Sequence, residues 1–229
     1  MPTIPRLIFT IWLDDGKPVL DLIAQCIETQ REVKGYKHRL LTTEDFPPNL
    51  PYFKDALSAR NWTKAADYGR LWYLLEHGGI YCDADMEILP GKSFDELLDY
   101  SLVVCQEETW WIANSIMLAV PRHPIIQRLL QDMEMLYRGD DESVNPFEPS
   151  MAFMTPIIYE AAHGDPRTLW LGPGQSSRDA SIKILPPEYF MPYRHDTGKI
   201  KVTDKTIAFH HFNSRGKRQT LYAPRPQTA

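Results

Sequence analysis

The sequence predicts a single α/β domain, in which helices cover both faces of a mostly parallel central sheet. One observation is size and balance: the chain has 229 residues, of which 43% are hydrophobic and 24% charged, enough for one domain with a large core. The other is pattern. Strand-length apolar runs alternate with helical periodicity through the first half, and residues 7–13 are apolar without alternation, which is typical of a strand buried on both faces.

The individual elements follow from periodicity and from turn residues. Gly78 and Gly79 end the clearest helix, because glycine tolerates the left-handed conformation found just past helix ends. Prolines 47, 48 and 51 predict a broken, irregular stretch before that helix. In chain order, the predicted elements are a strand over 7–13, a helix over 19–32, a strand over 36–41, a helix over 62–77, strands over 80–82 and 101–106, a helix over 124–138 and a strand over 206–212.

Charge and cysteine content exclude several classes of protein. With 25 basic and 30 acidic residues the net charge is −5, which disfavours nucleic-acid binding and general binding to anionic membranes. The three cysteines have no C-x-x-C spacing, so we expect buried thiols in a reducing compartment rather than disulfides or a zinc ribbon. No apolar run approaches about 20 residues, and we therefore expect a cytoplasmic protein without a transmembrane segment.

Two pairs of charged residues are candidates for chemistry. Asp83 and Asp85 come directly after a predicted buried strand, and side chains two residues apart on an extended chain point to the same side. A divalent cation such as Mg²⁺ or Mn²⁺ would relieve their repulsion, and the alternative is a solvated acidic turn. Asp67 and Arg70 lie three residues apart on one face of an apolar helix, where the alternative is a surface ion pair.

The residues around these pairs resemble a known signature. Residues 65–70 read Ala-Ala-Asp-Tyr-Gly-Arg, and residues 74–85 read Leu-Leu-Glu-His-Gly-Gly-Ile-Tyr-Cys-Asp-Ala-Asp. Together they resemble the DXD-containing sugar transferases of glycosyltransferase family 32, which includes capsular-polysaccharide and yeast-type mannosyltransferases and is related to the large clostridial glucosylating toxins. The segments that also fall in the family's order are residues 4–12, Asn114, residues 121–124, Gly172-Pro173 and residues 210–212.

The resemblance implies a GT-A fold and retaining transfer of a sugar from a nucleotide-sugar donor to a glycan acceptor. UDP-linked sugars are the favoured donors, with Mn²⁺ or Mg²⁺ on their diphosphate, and surface polysaccharide is the implied product. A lipid-linked acceptor would bring the protein to a membrane surface peripherally. Residues 1–110 would bind the donor and the metal, and residues 111–229 would supply the acceptor side and a C-terminal lid.

The same resemblance assigns roles to residues of this chain. Asp85 would be the principal metal ligand, while Asp83 would contact both the donor and the metal shell. Asp67 and Arg70 would hydrogen-bond the donor sugar, and arginine also suits phosphate oxygens. These four residues form the implied catalytic set.

Further residues are implied to complete the donor pocket. Trp12 would stack on the base, Tyr81 would line the same pocket and Asn114 would contact sugar hydroxyls. A histidine would complete the metal site, and because adjacent strand residues point to opposite faces, only one of His210 and His211 can do so. The family pattern favours His210, with His211 as the alternative.

Some features leave the function open. The family's closing tryptophan is absent, and a basic tail with Arg215, Lys217 and Arg218 stands in its place as a possible lid over the diphosphate. Glu107 and Glu108 are candidate acceptor-side groups. The alternatives to a transferase are a nucleotide-sugar hydrolase and a non-catalytic nucleotide-sugar-binding protein.

Overall fold

A computed structural model describes residues 3–13, 19–107, 111–136, 150–164, 179–194 and 197–212. The strands within these ranges are β1 (Leu7–Ile11), β2 (Lys37–Leu41), β3 (Gly79–Cys82), β4 (Met86–Ile88), β5 (Leu102–Gln106), β6 (Ile112–Ala119), β7 (Ile182–Leu185), β8 (Tyr193–Arg194), β9 (Lys199–Ile200) and β10 (Ala208–His210). The helices are α1 (Asp21–Arg31), α2 (Pro51–Ser58), α3 (Trp62–His77), α4 (Pro124–Leu136) and α5 (Ser150–His163).

The central sheet has the strand order β2-β1-β3-β6-β5-β7. Strand β1 pairs in parallel with β2 and β3, and β5 pairs in parallel with β7. Strand β6 runs antiparallel to both of its neighbours, β3 and β5. The remaining five strands of this sheet all point in one direction. The predicted mostly parallel sheet is confirmed, and the antiparallel strand in its middle was not predicted.

A short second sheet brings the end of the described chain back to the centre. Strand β10 pairs antiparallel with β4, and His210 lies opposite Met86 in the register. Because β4 follows β3 after only a tight turn, this pairing places His210 next to the carboxyl end of β3. Ligands of α/β sheets bind at that end of the strands.

The core lies on both faces of the central sheet. Neighbouring residues of one strand enter different clusters: Ile8 and Ile80 pack on one side, whereas Phe9 and Tyr81 pack on the other. Helix α3 packs on the Phe9 side. Thr10 shares the Ile8 face and donates a hydrogen bond to Gln30, which places α1 on the opposite side of the sheet. The expected helices on both faces are therefore present.

The elements that the sequence predicted are found close to their expected positions, and α3 has the expected bounds. Gly78 ends α3 at φ 64°, and its N–H donates to the Leu74 carbonyl oxygen at 2.9 Å. The prediction missed α2, because Pro51 stands in its first turn, where proline costs no hydrogen bond. It also missed α5, which contains Pro156, as well as β4 and β6–β9.

Two further expectations can be compared with the structure. Cys26, Cys82 and Cys105 are free and buried, as expected. Across the ranges that the structure describes, none of the helices combines the length and the hydropathy that crossing a bilayer requires.

Candidate functional site

The two aspartates lie on a turn directly after β3. The Asp83 N–H donates to the Ser115 carbonyl oxygen at 2.8 Å, which extends the pairing between β3 and β6 by one bond. The Met86 N–H then donates to the Asp83 carbonyl oxygen at 3.1 Å and closes the turn. The extended conformation assumed from the sequence is therefore wrong for residues 83–85, although the two carboxylates still converge.

The carboxylates meet an imidazole from β10. One ligand atom from each of Asp83, Asp85 and His210 lies within 4.8 Å of the others. His210 Nε2 is 3.1 Å from Asp85 Oδ1 and 3.8 Å from Asp83 Oδ2. Asp85 and His210 are buried, at 7% and 8% exposure, whereas the Asp83 side chain is 26% exposed. The cluster therefore presents one partly open side through Asp83.

The neighbouring histidine faces away from this cluster. His211 Nε2 is 3.1 Å from Glu87 Oε2, and only the His211 backbone N–H reaches the turn, donating to the Asp85 carbonyl oxygen at 3.1 Å. The structure thus brings His210, and not His211, to the aspartates. Sequence reasoning missed Glu87, although its position two residues after Asp85 could have indicated a partner for the second histidine.

The electrostatics of the cluster reflect its burial. Burial raises the pKa of Asp83, an effect that Arg70 opposes and Asp85 strengthens. Burial alone lowers the pKa of His210, but the adjacent Asp85 carboxylate reverses this shift and leaves the pKa above its ordinary value. Both directions belong to the cluster without a cation. Metal ligands bind in their deprotonated forms, so cation binding would release protons from these groups.

Helix α3 contributes the second half of the site through Arg70. Its Nη2 donates to Asp67 Oδ1 at 2.7 Å, its Nη1 donates to the Asn114 carbonyl oxygen, and Nη1 lies 3.4 Å from Asp83 Oδ1. The Asn114 side-chain amide also donates to Asp67 Oδ1, at 3.1 Å. Asp67 and Arg70 are each 4% exposed. The pair is therefore a buried connection to the turn rather than a surface ion pair.

The charge of Arg70 is secured by its surroundings. Burial disfavours the charged guanidinium, yet Tyr81 and Asp67 raise the pKa of Arg70 above its ordinary value. The Tyr81 ring lies under the guanidinium, 4.5 Å from its central carbon, and the Tyr81 hydroxyl donates to Asp83 Oδ1. Tyr81 is buried, at 1% exposure, and its own pKa is raised, chiefly by burial.

Lys64 is a site residue that sequence reasoning missed. Its Nζ lies 3.9 Å from Asp67 Oδ2, and the residue is buried at 9% exposure in the first turn of α3. Its spacing of three residues before Asp67, the same as that between Asp67 and Arg70, was the available signal. The two cations therefore flank Asp67 on one face of the helix.

The remaining predicted residues lie around this centre. Trp12 follows β1 at the same sheet edge and is half-buried, and its N–H donates to the Leu41 carbonyl oxygen at 2.9 Å. Glu107 is half-buried after β5, and its charge contributes to the raised pKa of His210. Glu108 and the basic tail with Arg215, Lys217 and Arg218 lie outside the described residues.

The three converging side chains fit a hard divalent cation. Two carboxylates and one imidazole from Asp83, Asp85 and His210 provide oxygen ligands and a single nitrogen. Mg²⁺ and Mn²⁺ both prefer oxygen ligands, which the two carboxylates provide. The set lacks the thiolates that select softer metals.

Comparisons with known proteins find similarity to glycosyltransferases. Residues 17–104 match the family described as glycosyltransferase sugar-binding region containing DXD motif. Inositol phosphoceramide mannosyltransferase 2 of Schizosaccharomyces pombe is 30% identical over 143 residues. That alignment covers 58% of this chain and 39% of the relative, so the chain spans well under half of the relative's length.

A solved structure shares this fold. PaToxG glycosyltransferase aligns with a TM-score of 0.56 at 18% identity, covering 69% of each chain. A glycosyltransferase involved in the glycosylation of the major capsid of PBCV-1 aligns with a TM-score of 0.45 at 12% identity, covering 92% of this chain and 96% of the other. The fold is GT-A-like, and residues 17–104 are similar to the DXD-containing sugar-binding region of glycosyltransferases. Asp83-Ala84-Asp85 is the DXD sequence within the matched region.

Proposed function

We propose that this chain moves a sugar from a nucleotide-sugar donor to a glycan acceptor, with retention of the anomeric configuration. The observation that carries the proposal is the convergence of Asp83, Asp85 and His210 within 4.8 Å, beside the buried pair of Asp67 and Arg70. A solvated acidic turn would not be expected to meet a buried imidazole and a buried guanidinium.

Mn²⁺ or Mg²⁺ is the cation that we propose for this cluster, with Asp85 and His210 as ligands and Asp83 shared between the ion and the donor. When bound, such an ion supplies a Lewis acid for the diphosphate oxygens. Asp67 and Arg70 then have the role of holding the donor sugar, and Asn114 adds an amide beside Asp67. The network already fixes the orientation of Arg70, so little reorganisation is needed when a donor binds.

The sugar transfer that we propose does not pass through a covalent intermediate with the enzyme. The bond between the anomeric carbon and the diphosphate oxygen breaks, and a bond from that carbon to the acceptor oxygen forms on the same face of the sugar. The acceptor proton passes to the departing diphosphate. Glu107, which is half-buried directly after β5, is the proposed acceptor-side group.

The proposed donor is a nucleotide sugar. UDP-sugars remain the favoured class, with Trp12 stacked on the base and Tyr81 behind the sugar-binding groups. A specific observation favours a second candidate, GDP-mannose, because the name of the fission-yeast relative describes mannosyl transfer to inositol phosphoceramide.

An acceptor of that lipid type would bring the chain to a membrane surface, whereas surface polysaccharide is the acceptor implied by the family resemblance. The three free buried thiols suit the cytoplasm.

Donor turnover tests the proposal. Release of UDP or GDP from a panel of nucleotide sugars is measured with Mn²⁺, with EDTA, and with and without glycan or inositol-phospholipid acceptors. Release that needs both the cation and an acceptor supports transfer. Release without an acceptor indicates a hydrolase, and tight donor binding without release indicates a binding protein.

Asp85→Asn is the variant that tests the metal ligand. We expect it to lose turnover by at least roughly 100-fold, because removal of one charge-stabilising group commonly costs that much. Asp95→Asn is the matched control, since Asp95 is an exposed aspartate that pairs with Arg6 on the surface. Full turnover by Asp85→Asn would contradict the proposed site.

A further inference from the structure

Gln30 is a fully buried amide that connects helix α1 to the DXD turn. Its exposure is 0%, and its Nε2 donates to two backbone carbonyl oxygens, that of Asp83 at 3.1 Å and that of Met86 at 2.9 Å. These two carbonyls belong to the first residue of the turn and to the first residue of β4. The amide therefore bridges the two ends of the segment that carries both aspartates.

The other half of the amide is held just as firmly. Gln30 Oε1 accepts a hydrogen bond from the Thr10 hydroxyl of β1 and lies 3.3 Å from His38 Nε2 of β2. Burial lowers the pKa of His38 to about 4, so its imidazole is neutral at pH 7. A carboxamide offers two N–H donors and two acceptor positions, and all four are used here. A flipped amide would set its oxygen against two carbonyl oxygens, so only one orientation fits.

We infer that Gln30 is a positioning residue that sets the spacing of Asp83 and Asp85 for a divalent cation. The inference rests on the proposed metal site. Two carboxylates side by side repel each other when no cation is bound, and this repulsion favours opening of the turn. A buried clamp on the turn backbone opposes that opening, because opening the turn would break the two hydrogen bonds that the buried Gln30 amide donates.

A purely structural role is the alternative, in which Gln30 only satisfies buried carbonyls. The two roles differ in what a substitution changes. A structural role predicts loss of stability with unchanged affinity for the cation, whereas a positioning role predicts loss of affinity beyond what the loss of stability explains. Residues behind metal ligands that orient them typically change metal affinity by about 10- to 100-fold when substituted.

Thr29 provides the matched control, because it is the neighbouring residue on the same helix and its side chain also makes a hydrogen bond to the backbone of β4. Its hydroxyl oxygen accepts from the Ile88 N–H at 2.9 Å, at the far end of β4 and away from the turn. Thr29→Val therefore removes one polar contact between α1 and β4 while leaving the clamp on the aspartate turn in place.

The experiment measures Mn²⁺ binding to the donor-free protein by electron paramagnetic resonance of the free ion, with thermal unfolding recorded for each variant. We expect Gln30→Met to weaken Mn²⁺ binding by roughly 10-fold or more. Gln30→Asn, whose amide is one methylene too short to reach both carbonyls, should weaken it to a lesser extent. Thr29→Val should bind Mn²⁺ as the unsubstituted protein does, although it is less stable.

The outcomes separate this inference from the proposed function. Unchanged Mn²⁺ affinity in folded Gln30→Met overturns the positioning role, and if that variant does not fold, unchanged affinity in Gln30→Asn does so. Absence of Mn²⁺ binding by the unsubstituted protein overturns the metal site itself, and the inference with it. Asp85→Asn serves as the reference for a lost ligand.

Discussion

Arg70 is the residue at which packing and the proposed chemistry meet. It contacts the side chains of Asp67 and Asp83, the carbonyl of Asn114 and the ring of Tyr81 while almost entirely buried. Its pairing with Asp67 could be predicted from sequence, because a separation of three residues on a helix is local. Its bond to Asn114 could not be predicted, because it depends on β6 lying antiparallel beside β3.

Arg70→Met should destabilise the protein by about 3–5 kcal/mol, because it leaves the Asp67 carboxylate buried with its closest partner removed. The double variant Asp67→Leu/Arg70→Met should recover part of that loss, since neither charge of the pair remains while Lys64 and Asp83 each lose a charged neighbour, but it should still lack turnover. Urea unfolding and donor turnover measure the two effects. A double variant with full turnover would show that the pair has only a structural role.

At the scale of single residues, the structure also distinguishes His210 from His211 as the neighbour of the two aspartates. Alternation along a strand correctly indicated that only one of them could face the aspartates. Which one does so is decided by the register of β10 on β4, in which His210 lies opposite Met86. Gln30 escaped prediction for a similar reason, because its partners Asp83 and Met86 are more than fifty residues away along the chain.

At the scale of elements, the unit of α3, two glycines and β3 was predicted most accurately. Its sequence signals are local: helical periodicity over 62–77 and the two glycines at the end. The structure adds a cap at the start of α3, in which the Asn61 side chain accepts a hydrogen bond from the Lys64 N–H. Strand β6 was missed although all but one of its residues are buried, because its pattern Ile-Ala-Asn-Ser-Ile-Met-Leu-Ala suits a helix as well as a strand. Only its pairing with β3 and β5 in the folded protein shows that this segment is a strand.

Gly79→Ala should destabilise the fold by about 3 kcal/mol or more, through strain and a backbone clash. Gly79 has φ 109°, and a Cβ there would lie 2.6 Å from the Leu7 carbonyl oxygen of the parallel neighbour β1. Gly91→Ala is the matched control: Gly91 has φ 74°, but a Cβ there would meet nothing within 4 Å. It should cost only about 1–2 kcal/mol in denaturant unfolding. Equal losses in the two variants would contradict the close approach of β1 and β3.

At the scale of the whole molecule, the general architecture followed from composition and alternation of elements, whereas the site required the tertiary fold. The proposed ligands come from the turn after β3 and from β10, and Asn114 comes from β6. Local patterns indicate which residue types are present. They do not give the antiparallel pairings that bring His210 and Asn114 to the same edge.

Acid sensitivity of the whole fold is expected from His123, which precedes α4. Its Nδ1 accepts the Ile125 N–H at 3.2 Å and its Nε2 lies 3.2 Å from Ser101 Oγ. Burial lowers the pKa of His123 from 6.5 to about 4, although Asp179 partly opposes this shift. Between these values the unfolded chain binds a proton that the folded protein does not, so stability falls as the pH decreases from 6.5 towards 4.

His123→Asn should reduce this dependence, because asparagine caps a helix without titrating. Between pH 7 and pH 4.5 the unsubstituted protein should lose about 2–3 kcal/mol more than the variant in urea unfolding. Parallel pH profiles for the two proteins would rule out His123 as the source of the acid sensitivity.

The pairing of β10 with β4 has a consequence for the protein during its synthesis. A nascent polypeptide that has emerged beyond Asp85 but not yet as far as His210 has the carboxylates of Asp83 and Asp85 without the His210 imidazole, and no hydrogen bond yet joins Asp85 to the segment from 208 to 211. The ribosome therefore delivers the pieces of this centre more than a hundred codons apart. Until His210 has been synthesised, the growing chain lacks one of the three proposed ligands of the cation.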